Sequence, residues 1–85
     1  MFHQLKINKK WYEEKIDGRK PWELRLNDRK FKIGDYIGEN EIDEDGKETG
    51  RFVLEKITNI IYPEEVSGGL EKGYVILSTV QLDLM

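Results

Sequence analysis

Apolar and polar side chains alternate along Phe2-His3-Gln4-Leu5-Lys6-Ile7, so that His3, Leu5 and Ile7 share one face of an extended segment and Gln4 and Lys6 the other. This pattern predicts a first strand. Asn8 then offers a helix N-cap, and Lys9 to Asp17 contains neither Gly nor Pro before Gly18, a residue type that suits the position after a helix end. A short helix is predicted there, with Trp11, Tyr12 and Ile16 as its buried side and with Lys9 facing Glu13 and Lys10 facing Glu14 one turn apart. Pro21 forces an extended entry into Trp22-Glu23-Leu24-Arg25-Leu26, a strict alternation that places Trp22, Leu24 and Leu26 on one face and Glu23 and Arg25 on the other. Trp22 is expected in the core.

Asn27 to Lys30 reads as a polar turn, and Phe31-Lys32-Ile33-Gly34-Asp35 leads into a strand from Tyr36 to Ile42. Asp43-Glu44-Asp45-Gly46 marks a hairpin tip. Arg51 to Tyr62 is rich in β-branched residues and predicts the longest strand, stopped by Pro63. Glu64 to Lys72, with Gly68-Gly69, is a flexible connection, and Tyr74 to Val80 is apolar enough for a strand buried on both sides. Five to six short strands with one helix after the first indicate an α+β, mainly β class, built as a small barrel whose closure hides the strand edges. All 85 residues are read as one domain, 1–85, because two halves would each be too small to bury a core.

Composition narrows the chemistry. There is no cysteine and only one histidine, which removes disulfides and thiol-ligated zinc, and no acidic run has calcium-loop spacing, so neither a metal nor a cofactor is expected. No leader precedes the first strand, and the longest apolar run, Tyr74 to Leu77, falls far short of a bilayer, so the expectation is a cytoplasmic protein with no membrane partner, taken as a monomer. Net charge is −3, but ten Lys/Arg stand against six Asp/Glu through Tyr36, and four against eleven beyond it. A basic face of this kind directs a polyanion to one place.

The densest polar stretch is Gly18-Arg19-Lys20-Pro21-Trp22-Glu23-Leu24-Arg25. Gly18 ends the helix, Lys20 is expected to project from the turn, and Glu23 and Arg25 lie on one strand face with α-carbons about 6–7 Å apart. Arg supplies a planar fork for phosphate or a base edge, Lys a mobile charge, and Glu an acceptor for an exocyclic amine. Lys9 and Lys10, at a helix start with free backbone N–H groups, also attract phosphate, and Arg29 extends the basic rim. The competing structural reading is an ion-pair cluster that fixes the strand against the helix. His3, sharing a face with Leu5 and Ile7, is expected to be a hydrogen-bonded structural histidine.

Gly18-x-Lys20-x-x-Glu23-x-Arg25 resembles the G-x-K-x-x-E-x-R motif of the ASCH family, which is similar in fold to the PUA domains of RNA-modifying enzymes. His3-x-Leu5-Lys6-Ile7, Asn27-Asp28-Arg29, Phe31-Lys32-Ile33-Gly34-Asp35, Thr49-Gly50-Arg51 and Gly73-Tyr74-Val75-Ile76-Leu77 resemble a small bacterial and phage ASCH-like subfamily without an assigned function. The resemblance implies a PUA-like barrel that binds RNA or a nucleotide in a charged cleft beside the motif. Joined to the reading of the residues, the expectation is that Lys20 and Arg25, with Arg29, Lys9 and Lys10 as outer contacts, engage phosphate while Glu23 reads a base or sugar hydroxyl. Some ASCH-like proteins resemble amidohydrolases of acylated cytidine that use a Lys, a Thr and a Glu. Lys20 matches that Lys, whereas Glu23 stands at the place of the Thr, and the acid would have to come from Glu64, Glu65 or Glu71. A third reading is a phage or plasmid accessory protein that binds a host protein through the acidic second half of the chain, to be tested by reversing the charges of Glu39, Glu41 and Glu44.

Overall fold

Asn8 ends one strand and begins the helix that follows. Its Oδ1 accepts the Trp11 amide at 2.9 Å, the N-cap predicted from sequence. In the computed structural model, which describes residues 1–82, β1 (Phe2–Asn8) leads into α1 (Lys9–Ile16), and Gly18, at φ +86°, turns the chain out of the helix. The chain continues through β2 (Trp22–Leu26), β3 (Tyr36–Ile42), β4 (Glu48–Ile61), a single 3-10 turn (Pro63–Glu65) and β5 (Tyr74–Gln81).

All five strands belong to one sheet in the order β1-β3-β4-β5-β2, with β1 parallel to β3 and the remaining neighbours antiparallel. The sheet curls into a half-barrel with β1 and β2 as its two edges. Hydrogen-bonded strands therefore do not close the barrel, contrary to the sequence expectation. Arg25 spans the seam instead, donating from Nη2 to the Lys6 carbonyl at 3.0 Å. No helix among the described residues is long and apolar enough to cross a membrane.

The inner face carries two apolar clusters, one of Leu5, Phe31, Ile37, Ile57, Ile60, Val75 and Leu77, the other of Ile7, Tyr12 and Val53. Glu39 lies in register between Leu5 of the first and Val53 of the second. A register shift between Ile57 and Asn59 lets both Ile57 and Ile60 point inward from β4. On β5 the inward Val75, Leu77 and Thr79 are buried while Tyr74, Ile76 and Ser78 are half-buried, so that strand is not covered equally on both faces.

Several sequence expectations are reversed. Trp22, Leu24 and Leu26 are 43%, 50% and 49% exposed, and Glu23, on the opposite face, is 2% exposed. Period-two alternation fixes which residues share a face; here the face that turns inward is the charged one, because ionic partners wait there. On α1, Trp11 and Ile16 are exposed, and the buried pair is Tyr12 and Lys15, one turn apart. Lys10 pairs with Glu14 at 2.9 Å as expected, but Glu13 faces Arg51 at 3.9 Å. Glu39 and Glu41 are buried, so they form no acidic docking surface; Glu41 takes a two-pronged bond from Arg51, at 2.9 Å and 2.6 Å, and one from the Thr49 hydroxyl at 2.6 Å.

His3 is structural. Its Nε2 lies 2.8 Å from Asp35 Oδ2, and its ring meets Phe31 edge-on at 4.7 Å. Asp35 also accepts the Lys32 amide and the Met1 amine. Burial alone would raise the Asp35 pKa, but the bonds from His3, the amine and Lys32 win and hold it at about 2.

Candidate functional site: an ion cluster beneath a tryptophan-walled cleft

Four elements deliver charge to one buried point. Lys15 comes from α1, Glu23 and Arg25 from β2, Glu39 from β3 and Glu55 from β4, each at an inward-facing position. The Lys15 ammonium is 2.7 Å from Glu23 Oε2, 2.8 Å from Glu55 Oε1 and 3.8 Å from Glu39 Oε1, and it also reaches the Trp22 carbonyl at 3.2 Å and the Thr79 hydroxyl at 3.3 Å. Oxygens of Glu23, Glu39 and Glu55 lie within 4.8 Å of one another, close enough for a hard cation, but that cation is the Lys15 ammonium.

Glu23 is the shared counterion. Its Oε2 also accepts Lys20 Nζ at 3.0 Å, and its Oε1 accepts Arg25 Nε at 3.2 Å. Burial would raise the Glu23 pKa, but Lys15 and Lys20 outweigh it and hold the carboxylate ionised. Burial likewise opposes the Lys15 charge, and Glu23 and Glu55 reverse that, so its pKa is raised. Glu39 goes the other way. Burial, a hydrogen bond with Glu55 and the nearby charges of Glu23 and Glu55 push it up to about 10. Glu39 Oε1 and Glu55 Oε2 are the two buried side-chain atoms among the described residues without a hydrogen-bond partner, and a proton kept on Glu39 gives that carboxyl a donor for its hydrogen bond with Glu55.

Above this cluster, at the seam between β1 and β2, lies a cleft of about 410 Å³ whose lining includes Lys6, Lys10, Trp11, Lys20, Trp22 and Arg25. Lys20 Nζ sits 4.6 Å from the Trp22 ring centre and 5.4 Å from that of Trp11 while donating to the Trp22 carbonyl at 3.0 Å. The chain's two tryptophans thus lie beside one ammonium group.

The six residues singled out from sequence separate into two sets. Lys20, Glu23 and Arg25 converge as expected from their spacing, and Lys10 joins them on the rim. Lys20 is turned inward and 5% exposed rather than projecting, and Glu23 is too buried and too fully bonded to read a ligand. Arg29 lines a different depression with Met1, Lys30, Lys32 and Asp35, and Lys9 is outside the cleft, with its charge felt by Glu41. Glu64, offered as a catalytic acid, lines a third depression with Asn27, Tyr62, Pro63 and Lys72.

The family of the chain follows from a comparison of sequence. The family model described as Domain of unknown function (DUF3850) matches residues 2–79. The chain belongs to that family. Among solved structures, the DUF3850 chain is similar to that described as "Crystal structure of hypothetical protein PH0355", at 21% identity and TM-score 0.60, covering 96% of this chain and 100% of that one. The likeness establishes a shared fold. No curated protein matches the sequence.

Lys15, Glu39, Glu55 and Thr79 are the members that sequence reasoning missed for this DUF3850 site. A signal for two of them was present: Glu55 alternates with Val53 and Ile57, and Glu39 with Ile37, which places both glutamates on the apolar side of their strands. Thr79 beside Lys15 also bears on the hydrolytic reading. Its hydroxyl neighbours an ammonium held protonated, which cannot serve as the base that activates it.

Proposed function

We propose that this chain is an ASCH-like, PUA-like module that binds single-stranded RNA or a nucleotide, with a base stacked against the exposed indole surface of Trp11 and Trp22 beside Lys20 and phosphate on the rim. The observation that carries the reading is the pair of half-exposed indoles whose ring centres lie 5.4 Å and 4.6 Å from the Lys20 ammonium. Flat aromatic walls accept any base, cations beside them take phosphate, and several hundred Å³ is the size of a small-ligand site. With Glu39 protonated, three cations (Lys15, Lys20, Arg25) outnumber the remaining carboxylate charge of the cluster, and Lys6 and Lys10 add to the surplus at the mouth. Lys20 and Arg25 act as ligand contacts, Glu23 as the counterion that positions both, and Lys9 and Arg29 as contacts reached only by a longer strand.

Trp11 is 47% exposed, so Trp11→Ala leaves the fold intact and removes one wall. Its affinity for a labelled single-stranded oligoribonucleotide, measured by fluorescence anisotropy, is expected to fall roughly 5- to 150-fold, the effect of about 1–3 kcal/mol of stacking. Binding by the unaltered chain is expected to weaken as salt rises. Equal affinity of the variant and the unaltered chain would contradict the placement of the base.

A further inference from the structure

Strand β2 pairs on one side only, and the register decides which of its peptide groups are left over. The Pro21 carbonyl accepts the Thr79 amide at 3.1 Å, and the Asn27 amide donates to the Gly73 carbonyl at 2.8 Å, so residues 21, 23, 25 and 27 direct their backbone groups to β5. Trp22, Leu24 and Leu26 direct theirs to the open seam. The Trp22 carbonyl shows this orientation, because both Lys15 and Lys20 bond to it from that side. Leu24 has no such partner: nothing among the described residues bonds its N–H or its carbonyl, and it lines the tryptophan-walled cleft. Across the seam the Lys6 carbonyl is already taken by Arg25. Glu23, the acidic side chain placed to read a ligand, has both oxygens engaged.

We infer that the free peptide edge of Leu24, rather than any side chain, reads the ligand, and that what it reads is a nucleobase edge presenting a hydrogen-bond acceptor beside a donor. The inference rests on the nucleotide-binding reading above and adds the recognising group. An N–H and a C=O from one residue on a free strand edge offer one donor and one acceptor in the same direction, which is how a neighbouring strand would be recognised and also how the pairing edge of a base is matched. Stacked against the Trp11 and Trp22 walls of the cleft, a base presents its edge to β2. Each of the four common bases carries an acceptor next to a donor on its pairing edge, so the site discriminates a base from no base more strongly than one base from another. A sugar phosphate without a base has nothing for this edge to bond.

The test uses the unaltered chain and two proline variants, since proline removes an N–H and is tolerated on an edge strand where that N–H faces outward. Leu24→Pro removes the proposed donor. Leu26→Pro makes the same change at an outward-facing position that does not line the cleft. The isotope-labelled chain is titrated with the four nucleoside monophosphates and with ribose 5-phosphate, following backbone amide and indole signals. The expected result is that the Leu24 amide shifts downfield with each nucleotide, together with the indoles of Trp11 and Trp22. Leu24→Pro is expected to bind about tenfold or more weaker, the loss of one buried hydrogen bond, with Leu26→Pro unchanged. Ribose 5-phosphate is expected to leave the Leu24 amide unmoved. Indole shifts with a static Leu24 amide, or equal binding by both proline variants, would overturn the peptide-edge inference and leave the nucleotide reading standing. Static indoles with every nucleotide would overturn both. Should Leu24→Pro fail to fold, the Leu24 amide shift of the unaltered chain decides alone.

Discussion

Lys15→Met is expected to cost about 3–5 kcal/mol of folding stability at neutral pH, the usual effect of removing one partner from a buried ion pair. Lys15 is 1% exposed and is the cation around which Glu23, Glu39 and Glu55 gather. Methionine fills much of the same volume but leaves the carboxyl groups facing one another in a dry interior, where they must take up protons to coexist. The sign with pH follows. Lys15 has a raised pKa, so its contribution is complete below the ordinary value of 10.5 and is lost as pH climbs through the folded value. In the variant the carboxyl groups bind protons more tightly when folded than when unfolded, so its stability should recover as pH falls toward 5. Urea denaturation at pH 5 and pH 8 checks both statements. A loss below about 1 kcal/mol at pH 8 would mean that the cluster is hydrated and its charges screened.

Glu39→Gln is expected to stabilise the protein above neutral pH, by on the order of 2–4 kcal/mol at pH 8. Glu39 is 0% exposed, and its folded pKa of about 10 stands above the ordinary 4.5. Between those values the folded chain holds a proton that the unfolded chain has released, so stability falls with rising pH by up to about 1.4 kcal/mol per unit. The Lys15 charge works against this shift and Arg25 bonds Oε2 at 2.8 Å, but burial, the hydrogen bond with Glu55 and the Glu23 and Glu55 charges prevail. A glutamine amide donates permanently to Glu55 while its oxygen still accepts from Arg25. The variant should therefore show a flatter stability profile between pH 5 and pH 9 and a gain that grows with pH. Destabilisation at pH 8 with an unchanged slope would show that Glu39 is ionised and held by Arg25.

The elements of this fold were legible in the sequence because each is punctuated locally: Asn8 caps the helix, Gly18 leaves it, Pro21 starts β2, and Pro63 follows the end of β4. The meeting of Lys20, Glu23 and Arg25 was legible too, because their spacing across a helix-to-strand turn leaves little freedom. What failed was the choice of face. Hydrophobicity assigns Trp22, Leu24 and Leu26 to the core, and that rule holds only while the polar face has no partners inside. Lys15, Glu39 and Glu55 are those partners, and they arrive from elements distant in sequence, so no local pattern on β2 could announce them. Lys15 was legible only as a member of the Tyr12 stripe, where a lysine is ordinarily read as solvated. The same inversion places Trp22 on the cleft wall, so its exposure and the aromatic lining of the cleft have one cause.

Trp11 and Trp22 are the chain's two tryptophans and both line the cleft proposed for the base, so intrinsic fluorescence reports on the site without a label. The decisive measurement is a titration of the unaltered chain with a short single-stranded oligoribonucleotide and with nucleoside monophosphates, each at low and at high salt. The account predicts saturable quenching of tryptophan emission by at least one of these ligands, weaker at high salt. Emission unchanged by every one of them up to about millimolar concentration, the weak end of specific affinity, would contradict it.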